Sequence, residues 1–464
     1  MRGHVDLPLV LDREASRPLV VQLGDQLRDG VRAGALKPGE RLPSSRALAR
    51  LLGVSRTVVT EAFQQLYAEG WLEGRHGSGT YVADLAHLTP RRSAPQPAAA
   101  DPRTSDDLWW DEWERPCHDM IDLRPGSPWV LDYDKAAWRR AWRLAADRPP
   151  SDDVDPYGLP HLRALLADHL RRARAVPVGP ENVMVTRGTG HGLDLVAATL
   201  LRFGDGAGVE EPGYRVARGV FAARGGRIVP CPVDDQGVVP AELPDDLRLL
   251  YTTPAHQWPL GGRLPIARRE RLLDWARRTG AVVVEDDYDA EFRYDVAPLA
   301  ALYGLDPERV VLLGTLSKSL APDVGIGWLV APPALLARVA RTRELLADRT
   351  SGPVQQAVSV LLERGDLDRH LRRMRLEYAR RRAAVVEILG GRVSGDSAGL
   401  HVFLRLAREE VAPLVTASAE RGVLLDTTER HHHGPVRVPG LVIGYGSASL
   451  ADVRKACEII AGLL

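Results

Sequence analysis

The segment VVLLGTLSKSLAPDVGIGWLV, residues 310–330, determines which fold this sequence predicts. Its first residues, Val310 to Leu313, form an apolar run that is typical of a buried strand in a parallel sheet. Lys318 follows the strand after a short turn, and it is one of the few lysines in an arginine-rich chain. An amine in the low-dielectric crevice at a strand end has a lowered pKa and can attack a carbonyl. The alternative is a surface lysine beside a turn.

A second strand end carries an acidic segment, AVVVEDDYDAEFRY, residues 281–294. Asp286 and Tyr288 are two residues apart, so they share a face of the strand. A carboxylate and a phenol beside an amine suit pyridoxal 5'-phosphate (PLP). The lysine forms a Schiff base, the aspartate keeps the pyridinium nitrogen protonated, and the phenol donates to the ring oxygen. The alternative is an acidic loop that caps a helix.

A glycine-rich turn follows a third predicted strand, Val183 to Thr186. The turn, Arg187 to His191, enters a predicted helix, and the free N–H groups of a helix N-terminus bind anions. We therefore expect the cofactor phosphate at Thr189 and Gly190. Strands and helices alternate throughout this part of the chain, which indicates an α/β fold with a mostly parallel sheet.

Composition sets limits on the class of protein. The chain has 464 residues, 45% of them hydrophobic and 26% charged, which predicts a globular protein of two or three domains. No apolar run reaches the ~18 residues of a membrane span, and the three cysteines are too widely spaced for a disulfide framework or a zinc site. We expect a cytoplasmic protein without a metal. The formal net charge is zero, so any DNA-binding surface must be local.

The N-terminal part predicts a helix-turn-helix. A helix with apolar residues every fourth position runs from Leu19 to Val31. Two short helices follow: Ser44–Ser45 caps the first and Ser55 the second, and Gly53 makes the turn between them. The residues expected to face inward are Leu48, Leu51, Leu52, Val59, Phe63 and Leu66. Residues 71–82 read as a small β-hairpin, or wing.

The second of these helices is the predicted recognition helix. Its N-terminal residues reach base edges in the major groove, and an arginine on the first helix can hold a phosphate or a base. The predicted DNA contacts are Arg46, Ser55, Arg56, Thr57 and Thr60, with His76 and Gly77 at the wing tip. Residues 1–82 hold 11 basic and 9 acidic side chains, which barely favours DNA. A small helical interaction domain is the alternative from these residues alone.

Four segments together resemble one family, the MocR subfamily of GntR-type transcription regulators. They are GTLSKSLAP, EDDYDAEFRY, TPAHQWPLGG and the winged-helix segment LPSSRALARLLGVSRTVVTEAFQQLYAEGWLEGRHGSGTYV. The resemblance implies an α+β winged helix-turn-helix domain, residues 1–82, a flexible linker, residues 83–118, and a large α/β domain of the PLP-dependent transferase type (fold type I), residues 119–464. The same DNA contacts match the family, with Thr60 at a position that is often used.

The resemblance also implies roles in the large domain. Tyr214, in VEEPGY, lies near the cofactor ring, and His256 or Gln257 is the polar group over the ring oxygen. Ser317 joins Lys318 among the cofactor contacts. The family implies a domain-swapped homodimer that binds a double-stranded DNA operator and responds to PLP, an amine or an amino acid.

Two departures from the family bear on function. Gly325 stands where an arginine usually grips the cofactor phosphate, so cofactor affinity should drop unless another arginine, such as Arg187, substitutes. Val442 stands where aminotransferases carry the arginine for the substrate carboxylate, and Arg437 is out of register. We therefore expect little or no transaminase activity.

Three readings remain open from the sequence. The first is a DNA-binding regulator that senses an effector through PLP on Lys318. The second is a working aminotransferase with an appended DNA-binding domain, and the third is a regulator whose large domain has lost PLP. The run His431 to His433 is expected to be a solvated loop rather than a metal site.

Overall fold

The computed structural model describes residues 9–15, 17–75, 79–83, 120–152, 154–289, 291–296 and 299–464. They form two compact units, which are described separately. His76, Gly77 and the predicted linker beyond Ala83 lie outside the described residues. None of the helices in the described ranges combines the length and the apolar character that crossing a membrane requires.

The first unit contains the predicted helix-turn-helix and wing. Its elements are α1 (Leu19–Arg32), α2 (Ser45–Leu52), α3 (Arg56–Glu69) and an antiparallel hairpin of β1 (Leu72–Arg75) and β2 (Gly79–Val82). The hydroxyl of Ser44 accepts from Ala47 N, and that of Ser55 from Val58 N, so each serine caps its helix as predicted. Gly53, at φ +64°, makes the left-handed turn between the helices.

The core of this unit confirms most of the predicted inward faces but not Leu51. Leu48 and Ala49 are buried, whereas Leu51 is 64% exposed. On a helix Leu52 lies on the same face as Leu48, and Leu51 falls to its side, toward solvent. A bidentate ion pair between Arg28 and Glu69, with both N–O distances 2.7 Å, fastens α1 to α3.

The remaining elements continue the chain. The strands are β3 (Ile121–Asp122), β4 (Val183–Thr186), β5 (Gly206–Glu211), β6 (Arg227–Asp234), β7 (Gly237–Val238), β8 (Leu247–Thr252), β9 (Val282–Asp287), β10 (Val310–Thr315), β11 (Gly327–Val330), β12 (Val393–Ser394), β13 (His401–Arg405), β14 (Val423–Leu424), β15 (Asp426–Thr427) and β16 (Gly440–Gly444). The helices are α4 (Lys135–Ala146), α5 (Pro160–Arg174), α6 (Thr189–Leu200), α7 (Arg215–Ala223), α8 (Ile266–Thr279), α9 (Pro333–Leu345), α10 (Gly352–Glu363), α11 (Asp366–Leu389), α12 (Arg408–Glu420) and α13 (Leu450–Ala461).

The second unit is built on an eight-stranded sheet. The strand order is β4-β11-β10-β9-β8-β5-β6-β7, and the five strands from β10 to β6 are parallel. Only β11 and β7 run against their neighbours. β9 and β10 are buried along their length, as the apolar runs in the sequence predict. The parallel strands end at one edge of the sheet, where α/β proteins place their ligands.

A smaller sheet completes this unit. It has the order β12-β13-β16-β15, and all its pairs are antiparallel. β13 and β16 are its two central strands. A short parallel pair of β3 and β14 joins the segment before α4 to this C-terminal part.

Candidate functional site

A cavity of about 400 Å³ lies at the carboxyl ends of β8, β9 and β10. Each of these strands, or the turn after it, contributes a polar side chain: Tyr251, Asp286 and Lys318. Seven of the eight predicted cofactor contacts line this cavity: Lys318, Asp286, Tyr288, Thr189, Gly190, Tyr214 and Ser317. Segments far apart in the sequence therefore meet at one site because the strands that precede them are neighbours in the sheet.

Lys318 points its amine into this cavity. Its Nζ donates a hydrogen bond to the carbonyl oxygen of Gly126. Burial lowers the pKa of the Lys318 ammonium, and the charges of Asp289 and Asp286 oppose that shift. Lowering the pKa increases the fraction of free amine, which is the nucleophilic form.

Asp286 has one satisfied and one unsatisfied oxygen. Tyr251 donates a 2.7 Å hydrogen bond from its phenol to Oδ2. Oδ1 is buried and has no hydrogen-bond partner within the described part of the chain. Burial raises the pKa of Asp286 to about 7, although the Tyr251 hydrogen bond and the Lys318 charge both lower it. The free oxygen lies on a residue of the cavity wall, so it can accept from a ligand there.

His256, the eighth predicted contact, is not among the residues that line the cavity. It is 2% exposed, and its Nδ1 lies 2.9 Å from Oδ2 of Asp289 and 3.2 Å from Oη of Tyr288. The other candidate, Gln257, is fully buried, and its Nε2 donates to Glu210 and to the carbonyl of Pro212. The His256 ring and the Gln257 amide are both hydrogen-bonded within the protein, and neither residue lines the cavity. Trp258 of the same loop lines the cavity instead.

The end of the cavity at the N-terminus of α6 offers groups for an anion. Gly188, at φ +110°, is the N-cap of α6 and provides no side-chain cap, so the N–H groups of Thr189 and Gly190 have no partner among the described residues. The hydroxyl of Thr315 lies 2.9 Å from that of Ser317, and both residues line the cavity. Any Cβ at Gly188 would come within 3.5 Å of the Thr315 hydroxyl.

The arginines near this end differ in their partners. Gly325 has a left-handed φ of +58°, a conformation that favours glycine. Arg187 lines the cavity, but its Nη1 is paired with the carboxylate of Asp348. The same carboxylate is also hydrogen-bonded to His191 and Arg343. Burial raises the pKa of Asp348, but the interactions with Arg187, His191 and Arg343 together lower it to about 2.

Arg215, which sequence reasoning missed, lines the same cavity at the first turn of α7. No carboxylate of the described residues pairs with it. Burial raises the pKa of Tyr214 and lowers that of Arg218, and the charge of Arg215 acts downward on both. The next residue of α7, Val216, lies 3.8 Å from a Cβ built at Gly190, so the start of α7 is close to the start of α6. Arg215 lines the same cavity as Thr189 and Gly190.

The histidine run is not a solvated loop, which corrects the prediction. His431 is 3% and His432 5% exposed, and His431 lines the cavity together with Asp426 and Arg430. Nε2 of His431 lies 3.3 Å from Oδ2 of Asp426, which fixes this ring. The run contacts the end of β5: His433 N donates to Glu211, and the carbonyl of His431 accepts from Gly213 N. No local pattern in the sequence signals these long-range contacts.

The first unit exposes four of the seven predicted DNA-contacting residues. Arg46, Ser55, Arg56 and Thr57 are exposed at the N-terminal end of α3 and on α2. Nε of Arg56 lies 3.4 Å from the hydroxyl of Ser45. Thr60 is only partly exposed, and its hydroxyl donates to the carbonyl of Arg56 at 2.9 Å, so it must break that bond to donate to a base.

Comparison with known proteins identifies both units. Residues 19–82 match the model of the bacterial regulatory proteins of the gntR family, and residues 129–449 match that of aminotransferase class I and II. The chain is 37% identical to the HTH-type pyridoxine biosynthesis transcriptional regulator PdxR of Corynebacterium glutamicum, over 95% of each chain. This chain belongs to the MocR subfamily of GntR-type transcription regulators. It is also 35% identical to the probable rhizopine catabolism regulatory protein MocR of Rhizobium meliloti, over 96% of this chain and 94% of that protein.

Solved structures confirm the predicted fold of the large unit. An archaeal alanine:glyoxylate aminotransferase superposes with a TM-score of 0.69 over 74% of this chain and 90% of its own, at 24% identity. The Pyrococcus horikoshii kynurenine aminotransferase gives a TM-score of 0.67 with the same coverages and identity. This MocR-type regulator thus combines a winged helix-turn-helix with a fold-type-I, PLP-binding type of fold.

Proposed function

We propose that this DNA-binding regulator binds PLP in the cavity through a Schiff base on Lys318 and uses it to sense an effector. The observation that carries the proposal is that one cavity is lined by the half-buried amine of Lys318 and by Asp286, whose buried Oδ1 has no donor among the described residues. A protonated pyridine nitrogen is the donor that such an oxygen lacks. The phenol of Tyr288 and the N-terminus of α6 supply groups for the ring oxygen and the phosphate.

PLP itself is the effector that we favour. A relative that is 37% identical over nearly the full chain is named a pyridoxine biosynthesis regulator. The alternative effector is an amine or amino acid that displaces Lys318 from the bound cofactor. In either case occupancy of the cavity changes how two winged helices of a homodimer are held on an operator.

Little or no transaminase activity is part of the proposal. Val442, at the position expected for the substrate arginine, is fully buried in β16, and Arg437 is exposed. The residues 1–82, 83–118 and 119–464 are proposed as DNA-binding domain, linker and sensing domain. The two family matches fall inside the first and third of these ranges.

A visible absorption spectrum tests the proposal. PLP is added to the purified full-length protein, to Lys318→Ala and to Lys455→Ala, a matched control on α13. We expect a yellow band that borohydride bleaches in the wild type and in Lys455→Ala, and none in Lys318→Ala. Absence of the band from the wild type would mean that the large domain has lost PLP. If the same absorption band shows turnover of an amino donor with a 2-oxo acid, the protein is a working aminotransferase.

DNA-binding affinity, measured with and without candidate effectors, identifies the effector. A labelled fragment from upstream of the regulator's own gene is titrated with protein in the absence and presence of PLP. A PLP-dependent change in affinity that is lost in Lys318→Ala supports PLP as effector. A change that needs an added amine as well assigns the amine instead.

A further inference from the structure

Three polar side chains form a hydrogen-bonded chain behind the cavity wall. Oη of Tyr288 lies 3.0 Å from the carbonyl oxygen of His256 and 3.2 Å from its Nδ1. The same Nδ1 lies 2.9 Å from Oδ2 of Asp289. Of the three, only Tyr288 lines the cavity. Asp289 and His256 are therefore connected to the cavity through the phenol.

The pair behind Tyr288 is held rigidly. His256 and Asp289 are each 2% exposed. Gly399, at φ +73°, leaves the room for both, because a Cβ there would lie 2.1 Å from Cε1 of His256 and 2.6 Å from Oδ2 of Asp289. The ring of His401 packs against His256 with centroids 4.7 Å apart. A buried polar pair contributes little to stability compared with an apolar filling of the same volume, so its retention points to a positioning role.

The hydrogen-bond directions follow from the chemistry of the groups. An ionised carboxylate only accepts, so Nδ1 of His256 carries the proton that faces Asp289. That N–H also faces Oη of Tyr288, which can accept it while donating its own proton. In the structure the phenol proton goes to the carbonyl of His256. With its oxygen held by Nδ1–H, the phenol can turn its proton to an acceptor in the cavity without losing its support.

We propose that Asp289 and His256 are positioning residues that orient the phenol of Tyr288 as a donor to the ring oxygen of a 3-hydroxypyridine cofactor. This inference rests on the proposed function, since it needs that cofactor in the cavity. It also gives His256 a role through Tyr288 in place of the direct contact that the sequence suggested. The charged and titratable groups that act on Tyr288 are Asp289, Asp286, Glu210 and Tyr445.

The test is a pH titration of the visible band of the PLP-loaded full-length protein. Loss of a hydrogen bond to the ionised ring oxygen disfavours that form, so Tyr288→Phe should raise the pH midpoint, by about 0.5–1 unit. His256→Gln should shift it in the same direction by a smaller amount. The double variant should match Tyr288→Phe alone, because His256 acts only through the phenol.

Two further variants separate positioning from packing. Asp289→Asn keeps the shape of the side chain and should shift the midpoint, whereas His401→Gln should not. His401 is buried in the same cluster, but no hydrogen bond within the described residues joins it to Tyr288. Thermal unfolding of each variant without PLP checks that it is folded.

Three outcomes contradict the positioning role but leave the proposed function intact. They are a wild-type pH midpoint in His256→Gln, a shift in the double variant equal to the sum of the two single shifts, and a shift in His401→Gln as large as that in His256→Gln. His256, Asp289 and His401 place one ligand atom each within 4.8 Å of one another, so the titration is repeated after dialysis against a chelator. A midpoint that moves on chelation assigns the cluster to a metal and also overturns positioning. A wild type without any visible band removes the proposed function itself.

Discussion

The phenol of Tyr251 donates a hydrogen bond of 2.7 Å to Oδ2 of Asp286 and leaves Oδ1 of the same carboxylate without a partner in the described part of the chain. The next residue, Asp287, is different. Both its oxygens lie within 2.9 Å of Nη2 of Arg174, away from the cavity lining. Two adjacent buried acids therefore have different surroundings: Asp287 joins β9 to α5, and Asp286 lines the cavity.

Asp286→Asn should change how stability depends on pH in the protein without cofactor. Asp286 has a pKa of about 7 in the fold against an ordinary value of 3.8. Between these values the folded state keeps a proton that the unfolded state has released, so this group's contribution to stability falls as pH rises from about 4 to about 7. Denaturant unfolding of the large unit at about pH 5 and about pH 7.5 measures it.

The difference between wild type and Asp286→Asn isolates this group, because Asp287, whose pKa burial raises to about 8, titrates in the same range in both proteins. Asp245→Asn is the matched control, since that exposed carboxylate has a lowered pKa and does not titrate in this range. Equal pH dependences in wild type and Asp286→Asn would show that Asp286 is not protonated in the fold.

Tyr251→Phe should destabilise the protein by about 1–3 kcal/mol, because it leaves a second buried oxygen of Asp286 without a donor. The measurement is the free energy of unfolding from urea titration. Tyr303→Phe is the control: it is also buried, but its hydroxyl makes no hydrogen bond within the described residues. Its loss should change stability by less than about 0.5 kcal/mol. Equal losses in the two variants contradict the assigned hydrogen bond.

Most of the cavity could be predicted because its residues follow recognisable strands. Lys318 and Asp286 come at or just after the ends of β10 and β9, and a parallel sheet brings these ends together whatever the rest of the chain does. The glycine-rich entry to α6 is equally local. Their roles toward PLP remain predictions, which the spectra above test.

The rest of the cavity comes from segments without a local signal. Gly126, Asp426 and His431 reach it from before α4 and from the C-terminal part, and only long-range packing brings them there. His256 was expected on the wall because its loop is correctly placed, but Asp289 holds its ring behind Tyr288. The prediction for Leu51 was wrong for another reason: the buried face of α2 is centred between Leu48 and Ala49. At about 100° per residue, Ala49 lies to one side of Leu48 and Leu51 to the other, so Leu51 points away from the core.

Ser55 should serve both the fold and DNA. Its hydroxyl caps α3, so Ser55→Ala should cost about 1 kcal/mol of stability in the first unit. Ser55→Asp keeps a capping oxygen but adds a negative charge at the DNA surface, so it should abolish DNA binding while retaining stability. Ser44→Ala removes the cap of α2 and should lower stability without this charge effect. Unaltered DNA binding by Ser55→Asp contradicts the predicted surface.

Arg46→Ala and Arg56→Ala should weaken DNA binding, and salt dependence separates their roles. Loss of one phosphate contact reduces the slope of log K against log salt by about 1 across all sequences. Loss of a base contact costs about 1–3 kcal/mol on the operator only. Arg17→Ala is the control, because that exposed arginine of the same unit pairs with Asp25. The measurement is a salt series of fluorescence-anisotropy titrations, and wild-type affinity in both variants contradicts the assignment.

Arg215→Ala should weaken PLP binding more than Arg187→Ala does. The sequence pointed to Arg187 as the replacement for the arginine missing at Gly325, but Asp348 already neutralises that guanidinium. Arg215 lines the same cavity without a carboxylate partner among the described residues. A charge-assisted hydrogen bond contributes about 1.5–3 kcal/mol, so its loss should raise the Kd for PLP by about tenfold or more.

Arg215→Lys should restore part of the affinity, since it keeps the charge and loses the fork geometry. Pyridoxal, which lacks the phosphate, is the matched ligand: its affinity should be the same in wild type and Arg215→Ala. A larger loss of PLP affinity in Arg187→Ala than in Arg215→Ala would assign phosphate binding to Arg187. An equal loss of affinity for pyridoxal and PLP in Arg215→Ala would mean that Arg215 supports the shape of the cavity and does not bind the phosphate.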